Sequence, residues 1–125
     1  MNTMVILAVF VGGGLGSICR YLVSQIVMRS GDSVFPLATL SANVLSCIVM
    51  AIGLFYFEER IPTNSWQRAF LLIGFCGGFS TFSTFSIENF ELMRSGNYGM
   101  LGLNVLASVC LCLIVFMALY RTQSV

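Results

Sequence analysis

Four apolar stretches follow one another along the chain, at roughly residues 4–28, 36–57, 66–93 and 99–120, separated by short polar interruptions. Each is long enough to cross a bilayer as helix, which takes about 20 residues. The interruptions carry turn and cap residues. Ser30-Gly31-Asp32-Ser33 precedes Pro36, Glu58-Glu59-Arg60 leads into Pro62-Thr63-Asn64-Ser65, and Ser95-Gly96-Asn97 closes the third stretch. Tyr56, Trp66, Tyr98 and Tyr120 fall near the expected ends, where amphipathic rings anchor a helix at the interface. The first run lacks a basic leader and is too long for the core of a secretion signal, so it reads as a membrane helix. The pattern predicts an all-α integral membrane protein, one domain over 1–125 with four transmembrane helices.

Inside the third stretch the pattern changes. Gly74–Glu88 reads GFCGGFSTFSTFSIE, unusually rich in hydroxyls for an apolar region. Phe79, Phe82 and Phe85 recur every third residue, as do Ser80, Ser83 and Ser86. At about 100° per residue, Thr81, Thr84 and Glu88 share one helical face. Cys76-Gly77-Gly78 is expected to break this helix, since adjacent glycines each weaken it by about 1 kcal/mol relative to alanine. A break at this depth must face protein or a cavity. Its freed carbonyls suit a hard cation such as Na⁺, and its freed amides suit an anion. In the first helix, Gly12 and Gly16 have the GxxxG spacing of close helix packing. The Gly12-Gly13-Gly14-Leu15-Gly16 run is no phosphate loop, because no strand precedes it.

Composition agrees with the pattern. Hydrophobic residues make up 58% and charged residues 9%, against roughly 25% charged in soluble domains. The net charge of +1 leaves no basic footprint for nucleic acid. Histidine and lysine are absent, and no serine has a base to activate it, which argues against an enzyme. The five cysteines (Cys19, Cys47, Cys76, Cys110, Cys112) lie in apolar stretches without a chelating spacing and read as small packing residues.

The arginines do not choose an orientation. With an even number of spans, Arg60, Arg68 and Arg121 fall on one side and Arg20, Arg29 and Arg94 on the other, three against three. Equal numbers defeat the positive-inside rule. A chain that inserts both ways can pair with an inverted copy, so the balance predicts an antiparallel, dual-topology homodimer.

Polar groups at membrane depth usually face a protein interior or a water-filled path. Asn43 fits either interhelical packing or such a path, Asn104 reads as near an interface, and Arg20 can snorkel from its helix. Hydroxyls, an amide and the positive edges of phenylalanine rings can solvate an anion weakly, without a fixed charge to trap it. The chemistry alone reaches a narrow path for a small ion.

GFCGGFSTFSTFSIE closely resembles the hallmark of the Fluc/CrcB fluoride channels, GxxGGxTTFSTFSxE. Gly12-Gly13 through Gly16 to Arg20-Tyr21 resembles that family's GGxxGxxxRY-like opening, and Pro36-Leu37-Ala38-Thr39-Leu40 through Asn43 its PxGTLxxN element. The resemblance spans all four helices. It implies a dual-topology dimer with two antiparallel fluoride pores and a central structural Na⁺, exporting fluoride passively across a bacterial plasma membrane. By position, Phe82 and Phe85 resemble the aromatic box of the pore and Asn43 its amide. Gly77 and Ser80 would offer backbone carbonyls to Na⁺. Thr39, Ser83, Ser108 and Glu88 fall where the family has polar pathway groups, and Arg20 where it has its vestibule arginine. Ala38 and Ser80 depart mildly from the motif. Cys112 and Phe116 stand where relatives often carry further hydroxyls. The alternative of similar size is a dual-topology multidrug exporter. It would want a buried carboxylate early in the chain, yet no acidic residue precedes Asp32.

Overall fold

The structure is a computed structural model that describes residues 2–31, 33–57 and 60–123. Asp32 of the first connector and Glu58-Glu59 of the second lie outside the described residues. The described chain is helical throughout, with four segments long and apolar enough to cross a membrane: Thr3–Arg29, Leu37–Tyr56, Trp66–Arg94 and Tyr98–Thr122. This is a multi-pass membrane protein.

Helix α1 (Thr3–Arg29) opens on Asn2, whose side chain accepts from the Met4 N–H, and closes at Ser30. Gly31 follows with φ +142°, a conformation that disfavours a side chain. Helix α2 (Leu37–Phe57) starts directly after Pro36. The third crossing falls into two pieces. Its first, α3 (residues 66–79), is capped by the Ser65 hydroxyl, runs briefly as α-helix, widens to a π-helix over Ala69–Cys76 and tightens again over Gly77–Phe79. Its second, α4 (Phe82–Arg94), ends in a Schellman turn. There the Gly96 N–H donates to Met93 O and the Asn97 N–H to Leu92 O, with Gly96 at φ +76°. Helix α5 (Tyr98–Gln123) completes the fold.

The expected break is present but displaced. Gly77 is helical, at φ −64° and ψ −36°, and the chain leaves the helix only at Ser80, with ψ 158°, and Thr81, with φ −150° and ψ 112°. The Gly77-Gly78 pair therefore does not form the break. Gly78 serves packing instead: a Cβ there would stand 2.3 Å from the Gly13 carbonyl oxygen.

That contact belongs to a ladder between α1 and α3. A Cβ on Gly12 would meet Phe70 O at 2.4 Å, and one on Gly16 would meet Phe75 O at 2.1 Å. In the other direction, a Cβ on Gly74 would stand 2.9 Å from Val9 O. The π-turn helps explain the fit. Gly12 and Gly16 are one α-turn apart, whereas the carbonyls they admit, Phe70 and Phe75, are one π-turn apart. The GxxxG of α1 thus meets a second one, Gly74 to Gly78, and backbone packs on backbone.

On the other side α2 packs along α5. Phe55 makes edge contacts with Phe116 and Tyr120, at ring centroids 6.4 and 5.6 Å apart, and Tyr56 Oη lies 2.6 Å from Thr122 Oγ1. The interior is small and partly polar: Ala42, Ala51, Cys76, Thr39, Ser46, Thr81, Asn104 and Ser108 are buried, while most large apolar side chains face outward. Lipid, as apolar as leucine, explains that inversion.

Candidate functional site

The break at Ser80-Thr81 is held open by side chains. Thr81 N–H, released from the helical ladder, donates to Asn43 Oδ1 at 2.8 Å, and Asn43 Nδ2 donates back to Thr81 O at 3.4 Å. Asn43 therefore splints the break from α2. The Thr81 hydroxyl caps α4 by accepting from Thr84 N–H at 3.3 Å and donates to Thr84 Oγ1 at 2.9 Å, with Ser83 Oγ 3.4 Å away. A buried N–H without a partner would cost free energy at this depth, so the non-helical geometry depends on Asn43.

Two clefts meet at Thr81. One, of about 310 Å³, is lined by Asn43, Thr81, Phe82, Phe85 and Ser108, with no charged residue among its described walls. The other, of about 320 Å³, is lined by Arg20, Ser24, Gln25, Thr39, Thr81 and Thr84. Asn43 has two Nδ2–H groups. The bond to Thr81 O engages one and leaves the other for the cleft. Phe82 and Phe85 lie with centroids 5.8 Å apart and planes at 36°. Phe85 is half-buried, whereas Phe82 is 80% exposed and projects from the single chain.

A family model described as CrcB-like protein, Camphor Resistance (CrcB), matches residues 7–120. The chain belongs to the CrcB family. It is 45% identical over 107 residues to a protein of Phocaeicola vulgatus named fluoride-specific ion channel FluC, covering 85% of this chain and 87% of the relative. Identity to a protein of the same name from Coxiella burnetii is 43% over 111 residues, 88% of this chain and 90% of that one. A relative so named in Pyrococcus abyssi is 43% identical over 111 residues, 87% of each chain.

Of the residues singled out in this CrcB-family sequence, Asn43, Phe82, Phe85 and Ser108 share one cleft, and Arg20 and Thr39 share the other. Thr39 Oγ1 donates to Glu88 Oε1 at 2.5 Å, linking α2 to α4, while Glu88 Oε2 is buried with no partner among the described residues. Ser83 is exposed beside Thr81, Ser80 lines the first cleft at the break, and Gly77 is exposed on the face of α3.

Several contributors were missed by sequence reasoning. Asn104, given little weight by its place near a helix end, is 1% exposed. It donates to Asn89 Oδ1 at 3.0 Å and accepts from Ser108 Oγ at 3.4 Å, and Asn89 in turn donates to Phe85 O at 2.8 Å. A chain of amides thus runs from α5 to the backbone of the phenylalanine that lines the cleft. Its sequence signal was an asparagine within an apolar helix, which needs a partner. Ser46, donating to Cys76 O at 2.9 Å, ties α2 to α3 just before the break.

Proposed function

We propose that this CrcB-family protein is a passive, fluoride-selective ion channel, working as an antiparallel dual-topology homodimer with two pores. The observation that carries the reading is the Asn43–Thr81 junction, where a charge-free cleft walled by Phe82, Phe85 and Ser108 meets the cleft containing Arg20. An anion gathered by the Arg20 guanidinium would pass hydroxyls of Thr39, Thr81 and Thr84 and then the Asn43 amide, the Ser108 hydroxyl and the positive ring edges of Phe82 and Phe85. Each group donates or polarises weakly. Their number replaces part of the fluoride hydration shell while no fixed charge at the narrow point holds the ion back. Glu88 and Ser83 line neither cleft but stand one hydrogen bond away: the half-buried Glu88 carboxylate accepts from Thr39, and the Ser83 hydroxyl lies beside that of Thr81.

Two features support the second copy. The balanced arginines permit both orientations. Phe82 stands almost fully outside its own chain, so the wall it forms is complete only when another surface covers it. At such an interface Na⁺ fits the Gly77 and Ser80 carbonyls. Thr81 N–H, the donor that a continuous helix would give to Gly77 O, is turned to Asn43, and nothing stands within 4 Å of where a Gly77 Cβ would project. Two chains would bring four neutral oxygens, a donor set for a hard monovalent cation, and the ion would supply a fixed positive charge that joins the two breaks.

Fluoride enters cells from acid surroundings as neutral HF and ionises inside, so an open path across the plasma membrane suffices for export. Purified protein in liposomes, with K⁺ and valinomycin setting the potential, is expected to release fluoride rapidly while retaining chloride. Phe82→Ile should block or strongly slow release while leaving the fold of each chain intact, because the ring contributes little to its own chain's packing; size exclusion checks that the dimer persists. Well-folded dimers that release no fluoride would overturn the reading.

A further inference from the structure

Two of the five cysteines are placed for more than packing. Asn43 and Cys47 stand one turn apart on α2, Ser108 and Cys112 one turn apart on α5, and all four line the same cleft. Residues four apart share a helical face, so a pair of thiols sits about 6 Å along the helix axes from the Asn43–Ser108 pair. Cys47 and Cys112 face that cleft from two different helices, α2 and α5, which pack along each other. Both are half-buried free thiols, reachable from the cleft. Cys76 is fully buried and does not line that cleft.

The ligand set selects its ion. Among the described residues no group of three or more His, Cys, Asp or Glu side chains could hold a metal, so a structural Zn²⁺ wanting four ligands is poorly served. Soft sulfur ligands favour Cu(I), a closed-shell ion satisfied by two thiolates. We propose that Cys47 and Cys112 form a two-thiolate Cu(I) site in the wall of the cleft, and that an ion held there obstructs fluoride passage; the second half rests on the channel reading above. Two thiols release two protons and take up one Cu⁺, leaving a bis-thiolate adduct with one net negative charge. No oxidant is needed. A negative adduct of that size, in a charge-free cleft of low dielectric, opposes an anion by both bulk and repulsion.

The test uses the full-length protein under anaerobic, reducing conditions. Bicinchoninate, a coloured Cu(I) chelator, is titrated against it. The wild type should withdraw one Cu(I) per chain, Cys47→Ser and Cys112→Ser should each lose that uptake, and a Cys19→Ser, Cys110→Ser double variant should keep it. In liposomes, Cu(I) should slow wild-type fluoride release by at least about tenfold, reversed by excess chelator. Each serine variant should instead run at its own metal-free rate. Uptake unchanged in the serine variants, or absent from the wild type, overturns the site. Loaded wild type releasing fluoride at its metal-free rate overturns the obstruction. A metal-free wild type that releases no fluoride counts against the channel reading, and the chelator titration then decides the site by itself.

Discussion

The two halves of the third membrane crossing are held by opposite means. Over α3 the contact with α1 is backbone on backbone, with Gly12, Gly16, Gly74 and Gly78 removing every side chain that would separate the helices. Over α4 the chain is held by side-chain hydrogen bonds: Asn43 to Thr81, Thr39 to Glu88, and Asn104 through Asn89 to Phe85. Lipid supplies no hydrophobic drive between helices, so each half must use dispersion at close range or polar bonds. The first choice leaves no space. The second leaves clefts, because an amide bridging two helices keeps them apart and keeps some of its donors free. The polar, ring-lined site therefore sits on the hydrogen-bonded half, braced by the close-packed one.

The comparison breaks hardest at Gly16. Gly16→Leu places a side chain into the Phe75 carbonyl, where even a Cβ would stand at 2.1 Å. Backbone cannot yield as a side-chain tip can, so the cost should reach or exceed about 3 kcal/mol, the upper end for overpacking. Loss of the monodisperse folded peak on size exclusion is the expected result. A normal peak and thermal midpoint would mean that α1 and α3 are not in backbone contact.

Asn43→Ala tests the other half. It strips the partner from a buried Thr81 N–H and should cost about 1–3 kcal/mol, while fluoride release falls further than stability does. Asn43→Asp separates the two roles. It keeps an acceptor for the Thr81 N–H but replaces the Nδ2 donor with a carboxylate oxygen that repels both Thr81 O and an anion, so the fold should be recovered in part and fluoride release should not. Recovery of both by the aspartate variant would show that only the splint matters.

The third effect is smaller and acts at a distance. Asn104→Ala leaves Asn89 Oδ1 without its donor and frees Ser108. The expected destabilisation is about 1–2 kcal/mol, the typical net worth of the two hydrogen bonds lost. Its distinguishing readout is selectivity: a loosened Phe85 should let chloride through alongside fluoride, which a generally weakened fold would not do.

The contrast between the halves also explains what could be read from the chain. The four spans, the end caps at Ser65 and Ser95-Gly96-Asn97, and the close-packing role of Gly12 and Gly16 follow from local patterns of period, turn chemistry and small residues. Adjacent glycines suggested a break because glycine weakens isolated helices. In the structure Gly78 is fixed by α1, a tertiary demand that spacing within one helix cannot reveal. The break itself depends on Asn43, 38 residues away in sequence. The role of Asn104 is hidden for a related reason: its partner, Asn89, lies on another helix, and burial of an amide is decided by what it meets. That Cys47 and Cys112 line one cleft could not be read from spacing either, because the match between α2 and α5 is invisible until the two are set side by side.

The smallest effect sharpens the comparison most finely. Gly14 lies in the same glycine run as Gly12 and Gly16, yet nothing stands within 4 Å of a Cβ placed on it. If the ladder alone explains the run, Gly14→Ala should be neutral or stabilise the helix by up to about 1 kcal/mol, the propensity difference between the two residues. A thermal midpoint equal to or slightly above wild type, with unchanged fluoride release, is the expected outcome. A clear loss would carry different information. Since no atom of the chain's own described residues crowds Gly14, the penalty would have to come from outside the chain, and the interface of the proposed dimer would then include the Gly14 face of α1.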